Sequence, residues 1–132
     1  MFFSKLRGEN EVPPVETNAR GKAIFKLNQG RDRLNFKLEL LDIENVVVAH
    51  LHLGRKGMNG PVVAFLFGPM TKAVSIECAF FTGTITQNDL VGPLAGQSLE
   101  DLVREICFEN IYVNVHTVQN PSGEIRGQVY PC

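Results

Sequence analysis

Gly21-Lys22-Ala23-Ile24-Phe25-Lys26-Leu27 and Leu34-Asn35-Phe36-Lys37-Leu38-Glu39-Leu40, separated by Asn28-Gln29-Gly30-Arg31-Asp32, decide the fold class. Successive side chains on a strand point to opposite faces. Ala23, Phe25 and Leu27 therefore share one face while Lys22, Ile24 and Lys26 take the other. Leu34, Phe36, Leu38 and Leu40 likewise oppose Asn35, Lys37 and Glu39. Two alternating runs around a cluster of turn-forming residues predict an antiparallel hairpin with one face in a core.

Working outward, the same grammar recurs. Residues 3–6 read as a short first strand, and Val12-Pro13-Pro14-Val15 is excluded from any central strand by its consecutive prolines. Residues 46–53 are apolar on both faces, which suits a central strand. A glycine-rich loop over 54–61 leads to a strand over 62–67, and 78–86 reads as another strand, broken at Gly83. One helix interrupts the pattern over about 98–108: Ser98 and Asp101 form a capping box, and Leu99, Leu102, Val103 and Ile106 form one apolar stripe. The expected fold is all-β, a Greek-key-like β-sandwich of about 7–8 antiparallel strands with that helix as a lid over one end.

Near the C-terminus, Asn120-Pro121-Ser122-Gly123 has the proline and glycine of a type I turn followed by a glycine bulge. Pairing Asn120 with Glu124 sets Val115 against Val129 and His116 against Gln128. Val113, Val115, Ile125 and Val129 then face the core. Tyr112, Asn114, His116, Arg126 and Gln128 face outward, with Arg126 diagonal to His116.

At 132 residues the chain is expected to form a single domain, residues 1–132, with a core that needs no covalent support. Its net charge of −1, with interspersed signs, argues against a nucleic-acid partner and gives no attraction to a membrane surface. Charge enters Met1-Phe2-Phe3-Ser4-Lys5-Leu6 too early for a secretion signal, so a complete chain is expected in the cytoplasm and an exported one only if a leader was removed. Cys78, Cys107 and Cys132 have no metal-ribbon spacing. Cys78 and Cys107 read as small buried hydrophobes, with a bridge between them as the alternative, and Cys132 as a loose terminal thiol.

The chemistry lies in the histidines, of which there are three. Ala49-His50-Leu51-His52-Leu53-Gly54 puts two imidazoles on one face of a strand about 6.5 Å apart. The third lies on the outward face of Tyr112-Val113-Asn114-Val115-His116-Thr117. Converging, His50, His52 and His116 make a three-nitrogen site for a copper or zinc ion with one open position. The bland reading is a set of polar residues hydrogen-bonded to neighbours such as Asn114. Asn114 can orient an imidazole from behind; Arg126 can guide an anion or pair with Glu124. Glu9 and Glu11 have no evident acid–base partner and read as ties for the first strand. No Gly-x-Ser-x-Gly elbow and no phosphate-binding glycine loop occur.

Taken together, Leu6-Arg7-Gly8-Glu9-Asn10-Glu11-Val12-Pro13-Pro14-Val15, the His50–His52 segment, Asn59-Gly60-Pro61-Val62-Val63, and the run from Tyr112 through Asn120-Pro121-Ser122-Gly123-Glu124 to Gln128 resemble a chordin-type (CHRD) domain from end to end. The resemblance implies a small β-sandwich, found in animal chordins and as free-standing microbial proteins. It implies little chemistry. Many relatives carry export signals, which this sequence does not show. A shorter resemblance links His50-Leu51-His52 to the copper-binding strand of copper–zinc superoxide dismutase, and implies copper with Arg126 as the anion guide. This sequence departs from that pattern in having no bridging histidine and no further ligand cluster for zinc. Two functions follow as expectations: a binding module for a protein partner or a second copy of itself, carrying the three-histidine site, or a copper-dependent, dismutase-like metalloenzyme. A structural role at a cell surface is a third class.

Overall fold

The computed structural model describes residues 1–131. Its strands are β1 (Phe2–Arg7), β2 (Arg20–Leu27), β3 (Leu34–Leu53), β4 (Val62–Phe67), β5 (Val74–Ile85), β6 (Ile111–Thr117), β7 (Ile125–Gln128) and β8 (Tyr130–Pro131), with one helix, α1 (Leu99–Cys107), between β5 and β6. The hairpin that the alternation predicts is present: β2 and β3 pair from Leu27 with Leu34 back to Arg20 with Leu41. Its inward residues Ala23, Phe25, Leu34, Leu38 and Leu40 are fully buried, each large one stabilising the fold by about 1.5–3 kcal/mol.

The sandwich expectation is corrected to a barrel. Two separate strands, over 34–40 and 46–53, were expected; they are halves of one 20-residue strand, β3. The first half pairs with β2 and β5, the second with β6 and β4. β1 joins β2 to β7, and β7 joins β6. The ring β1–β2–β3–β6–β7 is therefore closed, and one strand serves what would have been two sheets. Asp42 and Asn45, with φ of 52° and 56°, take up the bend, and the ladder to β5 shifts register there, between Ile43 and Val46. Left-handed backbone at a short polar residue is a common way to turn a strand sharply.

β5 also differs from its expectation. It begins earlier, at Val74, and is not broken at Gly83. Gly83 faces Phe36 across the ladder, and a Cβ there would stand 2.7 Å from the Phe36 ring. The glycine makes room for an aromatic ring and does not end the strand. α1 is capped as read: Ser98 Oγ accepts from the Asp101 amide, and the Asp101 carboxylate accepts from the Ser98 amide. Its stripe of Leu99, Leu102, Val103 and Ile106 joins the core.

The β6–β7 register is corrected by four residues. Val115 pairs with Ile125 and Asn114 with Arg126, where Val115 with Val129 and His116 with Gln128 were expected. The Asn120–Gly123 turn exists, with the Gly123 amide donating to Asn120 O, but it sits inside a wider connection over 118–124. Four is even, so every side chain keeps its face, and Arg126 stays diagonal to His116.

Cys78 and Cys107 are exposed and free, which corrects both their expected burial and the alternative of a bridge. Cys132, read as a terminal thiol, lies outside the described residues. Among the described residues no helix is long and apolar enough to cross a membrane.

Candidate metal centre

The β3–β6–β7 lattice places the site. His50 lies opposite Asn114 and His52 opposite Tyr112, while His116 lies opposite Val48. Across the other edge of β6, Asn114 meets Arg126 and Tyr112 meets Gln128. Side chains two apart share a face, so these residues form one polar array on the outside of the barrel. The face points away from the apolar core as expected, but it is covered. His50 and His52 are each 8% exposed, and Tyr112, Asn114, Arg126 and Gln128 are buried as well. The loop over 54–61 and the segment over 8–15 lie across it, held by Asn59 Nδ2 donating to Val12 O and Asn10 Nδ2 donating to Arg126 O. A second, polar core results, outside the apolar one.

Within it the three imidazoles converge. One ring nitrogen from each of His50, His52 and His116 lies within 4.8 Å of the other two. His50 Nδ1 is 3.1 Å from His116 Nε2. Nitrogens about 2.0–2.1 Å from a shared tetrahedral ion stand about 3.3–3.4 Å apart, so this pair is already at ligand spacing. Backbone carbonyls set the tautomers of the other rings. His52 Nδ1–H donates to Gly60 O and His116 Nδ1–H to Pro121 O, both at 2.8 Å. Each bond leaves a bare Nε2 lone pair. His52 Nε2 is buried with no hydrogen-bond partner. A ring whose N–H is tied to a carbonyl while its other nitrogen faces inward is the usual posture of a metal-bound histidine. The donor set therefore fits a transition-metal ion on a feature of the chain itself.

Packing holds the rings in place. His52 stacks on Tyr112 with centroids 4.7 Å apart, and Phe65 of β4 meets His50 edge-on at 4.5 Å. Electrostatics keeps them neutral. Burial, then the neighbouring His116 and His52, push the His50 pKa down to about 4. Burial likewise lowers His52 and His116, against the partial support of the Gly60 and Pro121 carbonyls. Neutral imidazoles are ligands without first losing a proton.

The remaining expected residues are nearby in different ways. Asn114 Oδ1 is 3.0 Å from His116 Nε2. Arg126 lies over the Tyr112 ring, 3.5 Å from its centroid, and donates to Arg55 O, Met58 O and Asn59 Oδ1. Its guanidinium fastens the 54–61 loop. Glu124 is not its partner: that carboxylate accepts from Thr17, Thr117, Gln119 and Asn120. Burial alone would raise the Glu124 pKa, but these four donors outweigh it and hold it low.

Glu11, expected only as a tie for the first strand, belongs to this site. It is 5% exposed, and burial raises its pKa to about 7 against the pull of the Arg126 charge and the Asn114 amide. Its Oε2 has no hydrogen-bond partner. Alternation of the motif around it carries no such signal, because Glu11 reaches the site from an irregular segment, whereas Glu9, two residues away, is exposed.

Compared with known families, the chain matches the CHRD domain model over residues 2–129. No curated protein and no solved structure matches it.

Proposed function

The chain belongs to the CHRD domain family, and we propose that it is a member that binds one transition-metal ion through His50, His52 and His116. The observation that carries this reading is the buried, partnerless Nε2 of His52, aimed into a cluster whose other rings present nitrogens at ligand spacing. Leaving a buried acceptor unpaired costs about 1–3 kcal/mol, which an ion recovers. Nitrogen donors and intrinsic affinity favour copper, then zinc, over earlier divalent metals. The ion, when bound, supplies a Lewis-acidic centre. The chain's own residues supply neutral rings and, for His52 and His116, tautomers fixed by backbone carbonyls.

The ligands come from β3 and β6, and the carbonyls that orient them come from the connections after each strand. A bound ion therefore ties the 54–61 loop and the 118–124 connection to the barrel. That suits a binding module for a protein partner or a second copy, whose contact loops are ordered by the metal. The dismutase-like alternative is favoured less, because Arg126, its expected anion guide, spends its donors on the 54–61 loop.

Titration of tag-free protein with copper or zinc, followed by calorimetry, tests the reading. One equivalent is expected to bind, and His52→Ala, with an unchanged circular dichroism spectrum, is expected to abolish it. The absence of binding by the unmodified protein overturns the proposal. A superoxide assay on copper-loaded protein tests the alternative.

A further inference from the structure

We propose that Asn114 is itself a ligand, its side-chain carbonyl oxygen completing a three-nitrogen, one-oxygen coordination set; this rests on the three-histidine site proposed above. His116 Nδ1 gives its proton to Pro121 O, so Nε2 carries a lone pair. Asn114 Oδ1 nonetheless stands 3.0 Å from that nitrogen. Two acceptors facing each other at this distance repel unless a cation lies between them. The separation is close to that between two ligand atoms of one tetrahedral ion.

The other end of the amide points toward Gly123 and Glu11. A Cβ built on Gly123 would meet Glu11 Oε2 at 2.4 Å and Asn114 Nδ2 at 2.7 Å. The carboxyl oxygen and the amide nitrogen therefore both lie close beside the Gly123 backbone. The nearby carboxyl favours the N–H end of the amide on this side, in keeping with the lowering effect of Asn114 on the Glu11 pKa, and leaves the carbonyl end to the histidines. The left-handed φ of 125° at Gly123 and the absence of a side chain allow this approach. Glu11 is thus a positioning residue for the Asn114 ligand. Histidines from two strands provide three donors, and the residue directly across the ladder from His50 provides the fourth.

Zinc and cobalt(II) titrations of the full chain test this, with Asn114→Ala compared against His52→Ala. Asn114→Ala is expected to weaken zinc binding at least about tenfold and to change the intensity of the cobalt(II) visible bands, which report the number and kind of ligands. A second measurement needs no variant: in the unmodified protein, the Asn114 side-chain carbonyl carbon resonance is expected to move downfield with one equivalent of zinc. Zinc binding that His52→Ala abolishes, with that resonance and the cobalt(II) spectrum of Asn114→Ala both unmoved, overturns the Asn114 ligand and leaves the histidine site standing. Failure of the unmodified protein to bind either metal overturns both.

Discussion

At Tyr112 the halves of the polar core meet. Its ring stacks on His52 and supports the Arg126 guanidinium, while its hydroxyl accepts from the Gly60 amide. The neighbouring imidazoles and Glu11 respond to burial in opposite senses. The folded protein resists protonating the histidines, with His50 down at about 4. Unfolded histidine takes up its proton near pH 6.5, so the stability from this source is complete above that pH and is lost as pH falls toward about 4. Glu11 keeps its proton up to about 7 in the folded protein. Its contribution is greatest below its ordinary pKa of 4.5 and is lost as pH rises through about 7. Between these limits the two trends oppose each other. Glu11→Gln removes one of them, and the metal-free variant is expected to lose stability more steeply than the unmodified chain as pH falls from 7 to 4.5. Urea midpoints across that range measure it; equal slopes would refute the assignment.

At the scale of elements, the connection from β6 to β7 does the work expected of a tight hairpin, by other means. Glu124, with donors from Thr17, Thr117, Gln119 and Asn120, is the knot of that connection. It fixes the segment whose Pro121 carbonyl sets the His116 tautomer. Glu124→Ala leaves several buried donors unpaired and is expected to cost about 2–4 kcal/mol in a urea unfolding experiment. It is also expected to weaken zinc binding, since His116 loses its orienting carbonyl, whereas a loss of stability alone would mean the two are uncoupled. Alternation made β2, the first half of β3, and α1 with its capping box legible, because their patterns are local. The register of β6 on β7 was not, because Asn120-Pro121-Ser122-Gly123 supports a tight turn equally well in isolation. The wider connection wins through distant partners, with Thr17 on an irregular segment donating to Glu124 and Gln119 donating to Glu44 O.

Across the whole molecule, a closed barrel with the proposed ligands on two of its strands would make metal binding a term in folding. An ion that binds only the folded chain stabilises it by about 2.7 kcal/mol at a hundred times its dissociation constant. Zinc is expected to raise the thermal midpoint of the unmodified protein, EDTA to reverse the rise, and His50→Ala to eliminate it. A midpoint indifferent to zinc would separate the site from the fold. The three histidines and Asn114 were visible as candidates because strand periodicity puts His50 and His52 on one face of their strand, and Asn114 and His116 on one face of theirs; the pairing of β3 with β6 is what brings the two pairs together. Glu11 and the two carbonyls were not, since irregular backbone has no period from which a direction can be read. By itself, then, the amino-acid sequence determined the strands, the helix, the faces and the residues able to bind a metal, all of which follow from spacing over a few positions. Only the tertiary structure decided that β3 runs through as one bent strand, that the barrel closes, and that the histidine face is roofed into a buried polar core. Those outcomes depend on pairing and packing between segments far apart in the chain, where the free energy of closure belongs to the assembled whole and to no single stretch.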